Sequence, residues 1–238
     1  MSSEREERGV ALVVGVGPTT GARVCRLLGE HHTVAMVARS RHVIDSLVGE
    51  LPDAHGFQCD ISDRDRWGET LRQIIGEVGV PTKILLNAES AAWGPYNELS
   101  LGRFSASFEV NAVGLLQMVQ ALFPAPETIA NGTRMVISSS PAAYDPPARM
   151  LGLAPARVAQ RVLAELLHES LSPHGLEFSV FSIDGAIDEP RMRAAYPDRP
   201  TSFFIQPDDI AASIMDVFQA ESFELSTGIS GESSFANR

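Results

Sequence analysis

Val10-Ala11-Leu12-Val13-Val14-Gly15-Val16-Gly17-Pro18-Thr19-Thr20-Gly21 is the stretch from which the fold is read. Its first five residues are apolar and rich in β-branching, as a strand buried on both faces requires. Gly15 ends the run. From about Gly21 to Glu30 a stripe of Val24, Leu27 and Leu28 marks an amphipathic helix. In a strand–turn–helix of this kind, glycines let the backbone turn tightly and let an anion approach the free N–H groups of the helix N-terminus. Gly15, Gly17 and Gly21 are therefore candidate phosphate-cradle residues. A tight turn that serves only the sheet is the other reading.

Downstream, apolar runs at Val34–Ala38, Phe57–Cys59, Lys83–Leu86, Met135–Ile137, Phe178–Ile183 and Phe223–Ile229 have the length of strands. Helical patterns lie between them at Val43–Leu51, Arg64–Val78, Leu101–Phe123, Val158–Leu171 and Ile210–Phe218. Such alternation predicts an α/β fold: a doubly wound parallel sheet of about seven strands with helices on both faces. Ligands of such sheets bind at the carboxyl ends of the strands, where strand order reverses.

The chain has 238 residues, 44% hydrophobic and 21% charged, with a net charge of −11. One domain over residues 9–238, preceded by a flexible charged tail at 1–8, accounts for that length. The negative charge argues against nucleic acid and against an anionic membrane surface. Cys25 and Cys59 share no motif and read as small buried side chains, so no metal site is expected. The tail has no apolar core and no later run is long enough to span a membrane, which leads to the expectation of a cytoplasmic protein.

Arg39 and Arg41 follow the second strand, where an arginine suits the 2′-phosphate of NADP; a solvated basic turn explains them equally well. With these residues in hand, the chain resembles the short-chain dehydrogenase/reductase (SDR) family over nearly its whole length. Ala11–Gly15 is similar to the opening strand of that Rossmann-type fold, and Cys59-Asp60-Ile61 to the pair whose carboxylate meets the adenine amine. Asn87-Ala88 resembles the start of an Asn-Ala-Gly motif, Asn111 the family's helix asparagine, Ser139-Ser140 its catalytic serine region, and Asp184–Asp188 the segment after the sixth strand. The resemblance implies cofactor contacts from Gly15, Gly17, Thr19, Gly21, Arg39, Asp60 and Asn87. It also implies a small-molecule substrate, a homodimer or homotetramer, and a substrate lid at Glu189–Phe204.

The departures bear on chemistry. Thirteen residues after its serine the family has a tyrosine, and four further on a lysine. Counted from Ser140, those positions hold Leu153 and Arg157. Leucine moves no proton. Arginine can bond a ribose hydroxyl but does not relay protons as lysine does. Thr19, Glu89 and Glu189 replace residues that contact the cofactor, and two added carboxylates repel a polyanion. The expected cofactor is thus NADP(H), with its binding weakened or lost.

Ser140, Tyr144, Asn111, Glu89 and Arg157 are the candidate catalytic residues. Tyr144 is a substitute acid or part of an aromatic rim with Trp93 and Tyr96; Glu89 and Glu189 are bases if buried and surface carboxylates if not; Asn111 shapes the site or kinks its helix. Three functions follow: an SDR-derived enzyme of non-hydride chemistry (cyclisation, isomerisation or a similar rearrangement), an NADPH-dependent carbonyl or enone reductase with a rearranged site, or a non-catalytic SDR-like binding subunit.

Overall fold

The structure, a computed structural model, describes residues 8–232 and Ser234. Of the expected tail, all but Arg8 lies outside the described residues; Arg8 donates to the Glu30 carbonyl at 2.6 Å.

In chain order the elements are β1 (Gly9–Val14), α1 (Thr20–Gly29), β2 (His32–Ala38), α2 (Arg41–Glu50), β3 (Ala54–Gln58), α3 (Arg64–Glu77) and β4 (Lys83–Leu86). Then come α4 (Leu101–Phe108), a π-helical turn (Glu109–Val113), α5 (Gly114–Leu122), β5 (Thr133–Ser139), α6 (Ala154–Leu171) and β6 (Leu176–Asp184). The chain continues through β7 (Ala186–Ile187), α7 (Pro190–Ala195), β8 (Phe204–Ile205), α8 (Pro207–Gln219) and β9 (Ser226–Ser230). Seven strands pair in parallel in the order β3-β2-β1-β4-β5-β6-β9, and β7 pairs with β8 apart from them. The expected doubly wound sheet is thus present.

Strand alternation divides the core between the two faces. Leu12, Val14, Ile84, Leu86 and Phe178 point to one side, against Trp67, Leu71 and Met118 from α3 and α5. Ala11, Val13, Met36, Leu85 and Phe181 point to the other, against Val24, Leu28, Ile44 and Phe218 from α1, α2 and α8. Each large side chain fully buried there contributes roughly 1.5–3 kcal/mol. Both cysteines are buried and free, and burial pushes the Cys25 thiol up to about 12, which leaves it inert.

Three boundaries differ from expectation. The helix expected at Leu101–Phe123 is broken by the π turn, because the Asn111 amide competes with the helix backbone and donates to the Ser107 carbonyl at 2.7 Å. Helix α6 starts at Ala154 rather than Val158, since Pro155 sits in its first turn where no backbone N–H is needed. The last strand begins at Ser226 rather than Phe223, whose ring instead packs beneath the Arg134 guanidinium, 5.0 Å away. Among the described residues no helix is long and apolar enough to cross a membrane.

Candidate active site

Strand order reverses between β1 and β4, and the loops leaving them part there. Gly15 makes this possible: its φ is +88°, and an added Cβ would lie 2.4 Å from the Ala88 nitrogen. Asn87 ties the two loops and β5 together. Its Nδ2 donates to the Gly15 carbonyl at 3.1 Å, and its Oδ1 accepts from the Ser138 hydroxyl at 2.9 Å.

A cleft of about 360 Å³ opens at this point, and Gly15, Gly17, Arg39, Asp60, Asn87 and Glu89 all line it. Beyond Gly17 an added Cβ would meet nothing within 4 Å, so the backbone is open to an approaching group. Gly21 serves packing instead: its Cβ would stand 3.0 Å from Val16 Cα, which brings α1 against the first loop. Thr19 caps α1 without a side-chain cap bond, and its carbonyl accepts from Arg23. Arg39 is exposed at the rim, and its guanidinium has no partner among the described residues. Arg41 is instead drawn to Asp45 one turn on, 3.2 Å away. Asp60 takes two bonds through Oδ1, from the Ser62 N–H at 3.0 Å and hydroxyl at 2.8 Å.

A second group, joined to the cleft lining through Glu89 and Ser90, is built differently. Arg157 is buried, with 4% of its side chain exposed. Its Nη1 donates to the Ser138 carbonyl at 2.8 Å and to Gln160 Oε1 at 2.7 Å, and its Nη2 to Glu89 Oε2 at 2.5 Å. A buried guanidinium needs such partners, because taking a charge out of water is costly unless it is paired. Glu89, 45% exposed, is therefore the counter-ion of Arg157 rather than an isolated repulsive charge. One turn before Arg157, Leu153 is buried, and its carbonyl accepts the Arg157 N–H at 3.1 Å. Asn111 is fully buried, and its Nδ2 also holds the Ser90 carbonyl at 2.9 Å. The Ser140 hydroxyl, Asn111 Oδ1, Arg157 Nε and Gln160 Nε2 are buried without partners among the described residues.

Tyr144 stands apart from this group. Its hydroxyl meets Ser226 Oγ on β9 at 2.8 Å, and its ring lies under the Arg161 guanidinium at 5.2 Å. Glu189 precedes α7 and does not line the cleft. The neighbouring Asp188 is held below the usual carboxylate range by the bidentate Arg193 guanidinium at 2.6 and 2.7 Å. Sequence reasoning missed Gln160, Ser90 and Ser62. Gln160 had a signal, since it lies three residues from Arg157 and so shares its helix face. Ser90 acts through its carbonyl, which no side-chain pattern marks.

The residues fit NADP(H), the group implied by the resemblance, at one end only. Arg39, Asp60 and the open backbone at Gly17 suit a phosphorylated nucleoside. At the other end, the position of the family's lysine is filled by a guanidinium already bonded to Glu89, Ser138 and Gln160.

Comparison with known proteins agrees with this architecture. L-xylulose reductase of Bos taurus is 32% identical over 128 residues, 53% of this chain and 50% of that protein. The Homo sapiens protein of that name is 33% identical over 112 residues, 46% and 43% of the two chains. The chain thus spans about half the length of the curated relatives it matches. Among solved structures, a short-chain dehydrogenase from Streptomyces avermitilis superposes with a TM-score of 0.82 at 20% identity, covering 96% of this chain and 90% of that one. An NADPH-bound short chain oxidoreductase from Pseudomonas aeruginosa, described as containing an atypical catalytic center, gives 0.81 at 20% identity over 95% and 97%. At such identity they speak for the fold alone. Residues 9–198 match the model of the short chain dehydrogenase family, and the chain belongs to that family.

Proposed function

We propose that this chain is an SDR-derived enzyme that acts on a small organic molecule by non-hydride chemistry, a cyclisation, isomerisation or similar rearrangement, in the pocket where its relatives reduce carbonyls. One observation carries the proposal: buried Leu153 and internally bonded Arg157 stand at the two positions from which the family's reductases handle the transferred proton. Rearrangements need orientation and a proton acceptor more than a strong acid. Glu89, fixed by Arg157 and lining the cleft, is the acceptor, and Ser140 in the loop after β5 and Asn111 within the π turn are the further catalytic candidates.

The test is to incubate the purified protein with a panel of carbonyl and polyfunctional substrates, with and without NADPH, and to analyse products by mass spectrometry. Isobaric conversion without nicotinamide is the expected result. NADPH consumption at rates ordinary for reductases would sink the proposal.

A specific observation favours a second reading, an NADPH-dependent carbonyl or enone reductase with a rearranged site. Arg39, which lines the cleft without a partner among the described residues, is suited to the 2′-phosphate, and two structural neighbours are complexes with NADP or NADPH. On either reading the chain is a cytoplasmic homo-oligomer joined through α4–α5 and α6. Leu101 (80% exposed) and Leu166 (58%) on those helices support this assembly, and light scattering checks it.

A further inference from the structure

The sheet edge opposite the cleft carries a row of polar side chains that the proposed activity does not use. His32, Lys83, Arg134 and Glu177 stand within the first two residues of β2, β4, β5 and β6, with Lys83 in register with Arg134 and Arg134 with Glu177. Strand alternation turns them toward the face that also holds Met36, Leu85, Val136 and Phe181, beneath α8.

Of the 19 lysines and arginines in the chain, Lys83 alone is a lysine. It is half-buried, and its Nζ donates to the Phe218 carbonyl near the end of α8 at 3.1 Å. Arg134 Nη1 donates to that same oxygen at 2.8 Å. Two cations that share one oxygen stand within the ~4–6 Å over which each disfavours the other's charge. Glu177 is bonded to Arg134 Nε at 3.3 Å, and Lys83 has no carboxylate partner among the described residues. Burial first, and the Arg134 charge second, hold the Lys83 ammonium below the usual lysine range, against a smaller opposite pull from Glu177. His32, held below its ordinary value chiefly by burial, adds no anion to the row. A chain of net charge −11 thus keeps a cationic spot at this edge, built around an amine whose uncharged, nucleophilic form is favoured.

We infer that Lys83 is a site of covalent acylation, and that its donors are acyl phosphates, whose negative charge suits the neighbouring guanidinium. The Nζ lone pair attacks the acyl carbon and an amide C–N bond forms. The C–O bond to phosphate breaks, inorganic phosphate leaves with that electron pair, and the amine proton passes to water. The fold accommodates the product, since the amide nitrogen keeps one N–H for the Phe218 carbonyl and loss of the Lys83 charge ends its repulsion with Arg134. The modification is independent of the proposed activity, whose cleft lies at the other ends of these strands.

Incubating the full chain with acetyl phosphate at mildly alkaline pH, followed by peptide mass spectrometry, tests the inference. Lys83 of the folded chain is expected to be acetylated about threefold or more faster than Lys83 of the urea-unfolded chain, because more of it is free amine. Arg134→Gln is expected to slow the reaction and Glu177→Gln to speed it, each by about twofold or more, with circular dichroism checking that the variants fold. An ordinary surface lysine would respond to neither change. Equal or slower acetylation in the folded chain, or rates indifferent to both substitutions, would overturn the site. The acetylated chain is expected to melt at or above the temperature of the parent; a lower melting temperature would overturn the accommodation and leave Lys83 a structural cap of α8.

Discussion

The loops after β1, β2 and β3 and those after β4 and β5 belong to one sheet edge, yet they treat their polar groups in opposite ways. On the first side, among the described residues, Arg39 has no partner, Gly17 faces open space and the bonds to Asp60 fall on Oδ1 alone. On the second, Glu89, Arg157, Gln160 and Ser138 are bonded to one another, and Asn111 is bonded to Ser90 and Ser107. Groups left free are available to a ligand. Groups bonded internally have become part of the fold, and removing them should be felt first in stability.

That contrast is most easily broken at Glu89. Glu89→Ala strands a cation on the bonded side, and the expected loss is about 2–3 kcal/mol. This lies below the ~3–5 kcal/mol of a fully buried pair because Glu89 is 45% exposed. Chemical denaturation reads the loss directly, and adding Arg157→Leu should recover most of it. An undiminished midpoint in Glu89→Ala would mean that the pair is not structural.

Two glycines sharpen the contrast further. In Gly152→Ala the new methyl would lie 2.1 Å from the Ala92 carbonyl oxygen, so a loss of about 1–3 kcal/mol or more is expected. Gly17→Ala meets nothing within 4 Å and should stay within about 0.5 kcal/mol of the parent, while narrowing the phosphate approach. Equal melting temperatures for the two variants would erase the distinction between the sides.

The smallest effect is expected at the seam between them. Arg64 on α3 holds Glu109 on the π turn at 2.6 Å, and this bond keeps the Glu109 carboxyl below its ordinary value. A carboxyl whose folded pKa is depressed adds stability above its unfolded pKa and loses it as pH falls through the folded one. The melting temperatures of the parent and of Glu109→Gln should therefore differ slightly near neutrality and converge in acid.

The open side was largely legible in the sequence. Gly15, Gly17, Arg39, Asp60 and Asn87 occupy turns directly after strands, where spacing along the chain fixes position in space, and all five meet in one cleft. The bonded side was legible only as a set of absences. Leu153 and Arg157 stood out as departures, but the compensation of Glu89 by Arg157 crosses 68 residues of chain, and no local pattern reports it. The same limit explains Tyr144. Its place in a loop after β5 pointed to the mouth, whereas its hydroxyl is held by Ser226, 82 residues away on the edge strand. The interrupted helix at Asn111 was foreshadowed as a kink, but the bond to the Ser107 carbonyl that accompanies it could not be read from apolar periodicity.

The contact of Gly152 with Ala92 bears on how new specificities can be built into this scaffold. The two segments meet closely at Gly152 and Ala92, where an added methyl would lie 2.1 Å from the Ala92 carbonyl oxygen and 2.8 Å from its Cβ. A transplanted 88–99 loop would therefore have to arrive together with its own 140–153 partner. These segments form one exchangeable cassette, and libraries that randomise either alone would consist mostly of chains whose halves do not mate.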